Sequence, residues 1–148
     1  MTRTFVCKSK KCKRMKTTAI VEMWDDKTIS VYVPEFDGFS LNGQGRTVEE
    51  AKAALALAVE DYKEALSAEG KEVPDSLSCI EFEYKYDIAS FFECFKFISV
   101  STFAKYAGIN PSLMRQYKQR LAFASETQKQ KIEEAIHRAG GELLAVRL

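Results

Sequence analysis

The sequence predicts an α+β protein of two units, a β-β-β-α-β unit followed by an all-helical one. Three observations predict it. Short β-rich runs broken by turn residues occupy positions 17–41. A long run with apolar residues at helical spacing follows, and a strictly alternating segment closes that half of the chain. Beyond it come helix caps and breakers, and the charge changes sign.

The elements follow in order. Thr17–Trp24 is β-rich, Asp25-Asp26-Lys27 reads as a turn and Thr28–Val33 alternates again, which is a hairpin signal. Pro34 is expected to end the second strand, and Glu35-Phe36-Asp37-Gly38 to turn the chain. A short third strand, Phe39–Leu41, leads into Asn42-Gly43-Gln44-Gly45. Thr47 and Glu50 form a capping box, in which the hydroxyl caps a free N–H and the glutamate reaches back to the cap residue's own N–H. Ala51, Ala54, Leu55, Ala58, Val59, Tyr62 and Leu66 make one apolar stripe of the helix that follows. Gly70 ends it, and Val73-Pro74 marks the exit. Ile80–Tyr86 alternates apolar and charged residues, a half-buried strand. Residues 88–97 are too apolar for a free linker and are expected to pack between the two units. Ser101 is expected to cap a short helix broken by Gly108, Asn110 to cap a second helix with Pro111 at its first position, and Ser125 to cap a third that ends at Gly140-Gly141. The tail, Glu142–Leu148, reads as a short strand.

Composition bounds the function. Of 148 residues 46% are hydrophobic and 11% aromatic, which supports a packed core and argues against wholesale disorder. No apolar run approaches the ~20 residues of a membrane span. The basic N-terminus is not followed by an apolar stretch, so it does not read as a signal peptide, and a cytoplasmic protein with no membrane partner is expected. Cys7, Cys12, Cys79 and Cys94 are scattered and the single histidine is His137, so free thiols are expected and neither a metal site nor a cofactor is read.

The net charge of +1 hides an asymmetry. Residues 1–16 hold seven basic groups and no acid and read as a disordered basic arm; Met15 opens a conventional start, and every motif lies beyond residue 14. Residues 17–97 hold 7 basic and 17 acidic groups, a balance of −10, and read as a partner-binding domain. Residues 98–148 hold 8 basic and 4 acidic groups, a balance of +4. Acidic and basic domains in one chain suggest partners of opposite sign.

The basic domain carries the strongest local signal, Thr102–Tyr117. A helix-turn-helix needs a small residue in its first helix, and Ala104 is one; a glycine at the turn, and Gly108 is one; and apolar glue, supplied by Phe103, Ala107, Ile109, Leu113 or Met114, and Tyr117. The second helix then presents Asn110, Ser112, Arg115 and Gln116 to the major groove of double-stranded DNA. Arg reads guanine and Gln adenine through paired hydrogen bonds. Lys105, Lys118 and Arg120 are placed to meet phosphates.

The first domain resembles the HicB antitoxin family. The resemblance rests on Val33-Pro34-Glu35-Phe36-Asp37-Gly38, then Gly45-Arg46-Thr47-Val48-Glu49-Glu50-Ala51, then Val73-Pro74, in the family's order over residues 17–87. Phe39 stands where many members carry cysteine. The resemblance implies a degenerate RNase H-like sheet with a helix, and a function as the antitoxin of a type II toxin–antitoxin system. It implies a HicA-like partner, a small basic mRNA-cleaving toxin; repression of the shared operon through operator DNA; and assembly as a homodimer or higher homo-oligomer. The C-terminal helix-turn-helix is similar to that of the family's longer members. Glu49, Glu60, Asp61, Glu64, Glu81 and Glu83 are the expected toxin-binding acids, and Leu143-Leu144-Ala145-Val146 an edge for pairing with another copy.

Two other readings compete. One is a stand-alone helix-turn-helix regulator whose first domain senses a ligand or protein. The other is a metal-dependent RNase H-like nuclease, which needs about four carboxylates gathered around metal ions. Its candidates are Asp25, Asp26, Glu35, Asp37, Glu81 and Glu83, but the first two are ordinary turn residues and Glu81 and Glu83 share one strand face. No nucleophile–base pair and no phosphate loop is read, His137 has no evident catalytic partner, and a non-enzyme is expected.

Overall fold

Alternation of apolar and polar residues makes strands of the first half of the chain. The computed structural model describes residues 15–36 and 39–148. Among them β1 is Met15–Met23, β2 Ile29–Phe36, β3 Phe39–Gly45 and β4 Ile80–Tyr86. They form one sheet in the order β3-β2-β1-β4. Val21 lies opposite Val31 in the antiparallel β1–β2 pair, and Val33 opposite Leu41 in the antiparallel β2–β3 pair. β4 runs parallel to β1, with Val21 beside Tyr86. The sheet is therefore mixed, and a parallel neighbour requires a crossover. Helix α1, Val48–Ala68, supplies it, followed by the short α2, Asp75–Ser78.

One face of the sheet and one stripe of α1 make the first core. Ala19, Val21, Ile29, Val31, Val33 and Leu41 are buried from the sheet, and Ala51, Leu55 and Val59 from the helix. The helix and β3 meet at Gly43, where a Cβ would stand 2.2 Å from the Leu55 nitrogen and 2.3 Å from the Ala51 oxygen. Only a residue without a side chain permits that approach. At the start of α1 the Thr47 hydroxyl accepts the Glu50 N–H at 3.1 Å, while the Glu50 carboxylate accepts the Arg46 N–H at 2.8 Å. The box closes one residue earlier than the sequence pattern suggests.

The ends of β2 and β3 depart furthest from expectation. Pro34 does not end β2, which runs on to Phe36 with a register shift between Val33 and Phe36. An irregular ladder is where a residue without an N–H is tolerated. β3 does not stop at Leu41 but continues to Gly45, because Asn42 to Gly45 pair with β2 while α1 packs over the glycines.

The chain divides into two compact units, Met1–Tyr86 and Asp87–Leu148. The division falls before the segment 88–97, ahead of the expected boundary at 97/98. Its first seven residues form a helix, α3, Ile88–Cys94, capped by Asp87, whose carboxylate accepts the Ser90 N–H at 2.8 Å. Its Phe91 and Phe92 join Phe103 of the next helix, with ring centroids 5.9 Å apart in both pairs. Such pairs add about 0.5–1.5 kcal/mol each beyond the area they bury.

Three more helices complete the second unit: α4, Val100–Tyr106; α5, Pro111–Lys118; and α6, Glu126–Ala145. Ser99 caps α4, not Ser101. Ser125 caps α6 as its position predicts. The expectation that α6 ends at Gly140-Gly141 fails, and so does the short strand read into the tail. The helix runs through both glycines to Ala145. Each helical glycine costs about 1 kcal/mol. Tyr106 offsets this by tying down the far end of α6: its hydroxyl donates to Glu142 at 3.0 Å, its carbonyl accepts from Arg138 at 2.8 Å, and Arg138 lies over its ring at 4.3 Å. Leu143, Leu144 and Val146 are exposed, the first two on this helix, so the tail offers no strand edge of the kind expected.

No helix among the described residues is long and apolar enough to cross a membrane. Cys79 is disulfide-bonded, so the expectation of free thiols fails at that position. The disordered basic arm expected over residues 1–16 fails at its end, because Met15 and Lys16 pair with Ile80 and Glu81 and so begin β1; residues 1–14, with Cys7 and Cys12, lie outside the described residues, as does Asp37.

Candidate functional site

The second unit gathers a polar surface on α5 and the start of α4. Its frame is set by how α4 ends. The Ile109 N–H donates to the Ala104 carbonyl at 2.9 Å and the Gly108 N–H to the Lys105 carbonyl at 3.1 Å. This is the Schellman pattern, and it requires a left-handed residue after the cap. Gly108 supplies it, with φ +69°. Ile109, Ala104 and Phe103 are buried against Met114 and Tyr117 of α5, and Ala104 is 0% exposed. The turn is completed by Asn110, whose side chain accepts the Ser112 N–H at 2.8 Å, with Pro111 opening α5.

With Met114 and Tyr117 inward, the exposed side of α5 holds Ser112, Arg115 and Gln116. Arg115 is not loose. It donates to the Ser101 hydroxyl at 2.9 Å and to the Ser112 hydroxyl at 3.0 Å, bridging the first turns of α4 and α5. Lys105 is exposed one turn after Ser101 on the same side of α4. Asn110, Ser112, Arg115, Gln116 and Lys105 thus lie on two adjoining helices.

Lys118 and Arg120 are turned elsewhere. Lys118 pairs with Glu93 of α3 at 3.4 Å, and Arg120 with Asp87 at 3.1 Å. Arg120 also stands at φ +57°. The end of α5 repeats the end of α4, with the Leu121 N–H donating to the Gln116 carbonyl at 2.9 Å and the Arg120 N–H to the Tyr117 carbonyl at 3.1 Å. Arg120 occupies the position that Gly108 holds in the earlier turn. Sequence reasoning missed Ser101 as a partner of Arg115, because it read that residue only as a cap. It also missed Asp87 and Glu93, which stand outside the motif, and no local pattern announces such pairings.

The acids of the first unit do not form one patch. Glu60, Asp61 and Glu64 are exposed on the outer side of α1, with Glu60 paired to Lys63 at 2.8 Å, and Glu49 is exposed in its first turn. Glu81 and Glu83 lie on the opposite side of the sheet. The register fixes this: Tyr84 is beside Ala19 on the face that α1 covers, and the Lys52 ammonium sits 4.0 Å from the Tyr84 ring centroid. Burial there raises the Tyr84 pKa. Glu81 and Glu83, one residue out of phase, project with Lys16, Thr18, Ile20 and Lys85 onto the face away from the helix. On that face the Tyr32 hydroxyl donates to Glu22 at 3.0 Å.

At the β1–β2 tip the Asp26 carboxylate accepts the Thr28 N–H at 2.9 Å, which holds its pKa below the ordinary value. This is turn geometry. Among the described residues no three His, Cys, Asp or Glu side chains gather as a metal-binding group, and His137 is exposed on α6. The chain matches no family model, no curated protein and no solved structure.

Proposed function

We propose that the chain is a HicB-like antitoxin: its helical unit binds operator DNA as a helix-turn-helix, and its α+β unit binds a small basic HicA-like toxin. The observation that carries the reading is the α4–α5 pair. A helix with a fully buried alanine ends in a left-handed glycine, and an Asn-capped, Pro-started second helix carries exposed Ser112, Arg115 and Gln116. A groove-reading helix needs just such a polar edge, held by apolar glue on its other side. The balance of +4 over residues 98–148 favours a polyanion there.

The toxin half of the reading is supported by the balance of −9 over residues 17–86, which hold 6 basic and 15 acidic groups, by the element order β-β-β-α-α-β, whose second helix is the short α2, and by the family resemblance. Acidic contacts to a basic toxin steer association more than they fix affinity. One reading helix contacts one half-site, so repression calls for at least two copies of the chain, with half-sites about 34–36 Å apart.

The test is co-expression with the open reading frame adjacent to its gene, followed by pull-down, and a mobility shift on the duplex upstream of that gene. A co-purifying partner and a shifted duplex are expected. Failure of both sinks the proposal. A shifted duplex without a partner leaves the stand-alone regulator. Charge reversal then locates the toxin: Glu60→Lys with Glu64→Lys tests the α1 side, and Glu81→Lys with Glu83→Lys the sheet side.

A further inference from the structure

Resting on the reading that α5 enters the major groove, we infer that Gln116 and Gln119 select adenine, while Arg115 is withdrawn from base reading and takes a backbone phosphate.

The argument starts from the helix. At about 100° per residue, the point opposite the buried Met114–Tyr117 edge falls on Ser112 and Gln119, with Arg115 to one side of that line and Gln116 to the other. All four are exposed. The side taken by Arg115 is the side of α4, since its guanidinium is tied to Ser101 in the first turn of that helix. In a helix-turn-helix the first helix crosses the sugar-phosphate backbone while the second lies in the groove. A guanidinium held between Ser101 and Ser112 is therefore held at the backbone. It is presented with its rotamer already fixed, so less freedom is lost on meeting an anion.

Gln116 and Gln119 differ in kind. Among the described residues neither side chain makes a hydrogen bond, so both carboxamides are available. Glutamine pairs with the N6 and N7 edge of adenine, and no other residue of the exposed α5 edge offers a base edge both a donor and an acceptor of that reach. The predicted operator half-site thus carries A·T pairs under α5, where an arginine-led reading predicts G·C.

The experiment uses the full chain. Duplexes are selected from a randomised library, and the wild type, Gln116→Ala, Gln119→Ala, Arg115→Ala and Arg115→Lys are titrated against the selected and a scrambled duplex at several salt concentrations. Expected are selected A·T pairs whose preference each glutamine variant relaxes at one position, by about five- to a hundredfold. Arg115→Ala weakens both duplexes alike and lowers the salt slope by about one unit, and Arg115→Lys restores the slope because charge alone suffices for a phosphate. A selected G·C pair whose preference vanishes in Arg115→Ala overturns the inference, as do glutamine variants that change no position. If the wild type retains no duplex at all, the DNA-binding reading falls and the inference with it.

Discussion

Gly43→Ala is the sharpest test of how the first unit is held together. The added methyl would stand 2.2 Å from the Leu55 nitrogen, 2.3 Å from the Ala51 oxygen and 2.8 Å from the Ala54 carbonyl carbon. All three are backbone atoms of α1, so no flexible side chain can swing away. The helix must move off β3 by more than an ångström, and it carries Ala51, Leu55 and Val59 with it, each at most 3% exposed. Overpacking of a tight core costs about 1–3 kcal/mol, and a clash with rigid backbone belongs at the top of that range. For a domain of this size about 3 kcal/mol corresponds to a fall in Tm of roughly 12–24 °C. Because the chain has two units, the readout should be local. Native-state hydrogen exchange should show lost protection in β3 and α1, with α4 and α5 unchanged. A loss below about 1 kcal/mol would refute the reasoning, since it would mean that the helix–sheet spacing is not set by this contact.

The two Schellman turns make a paired prediction. Gly108→Ala should cost about 1–2 kcal/mol, because it meets no neighbour and pays only for φ +69°, whereas Arg120→Gly should stabilise by about 0.5–1 kcal/mol, because a glycine relieves φ +57° and the exposed ion pair it removes is worth little; denaturant midpoints check both. Asp26 gives a pH prediction. Its folded-state pKa is lowered, mainly by the Thr28 N–H, so its contribution to the hairpin is present above the ordinary carboxylate pKa and is lost as pH falls through the lowered one. The Thr28 amide resonance should titrate in that window and stop doing so in Asp26→Asn.

Much of this was legible in the sequence, and the failures have physical causes. β4 was read to the residue, because strict alternation survives wherever one face is buried and the other exposed. Thr47, Asn110 and Ser125 announced their helices because a cap is a local bargain between a side chain and the next turn. The readings that failed depended on partners distant in sequence. Gly43 and Gly45 look like a loop until α1 lies over them. Gly140-Gly141 look like a stop until Tyr106, more than thirty residues away, holds the helix beyond them. In the candidate interface Arg115 and Gln116 were legible as polar residues of one helix, but the difference between them was not, because it rests on the hydroxyl of Ser101 in another helix.

The same reasoning divides the acids of the first unit. A sum of −9 over residues 17–86 treats them as one patch, but a field depends on where the charges lie. On the sheet face Glu81 is beside Lys16, and Lys85 follows Glu83 on the same side of β4, so opposite charges alternate within a few ångströms. Alternating charges cancel beyond about one Debye length, roughly 8 Å at physiological salt, and cannot draw in a partner from further out. On α1 Glu60, Asp61 and Glu64 crowd within two turns, and Lys63, paired with Glu60, is the basic residue among them. That cluster keeps a net negative field into the solvent. If the unit binds a basic partner as proposed, α1 is the face placed to steer it and the sheet the face placed to match it at contact. Reversing the charges of α1 should slow the on-rate of a basic partner and flatten its salt dependence, whereas reversing Glu81 and Glu83 should act on the off-rate if the sheet is the docked face.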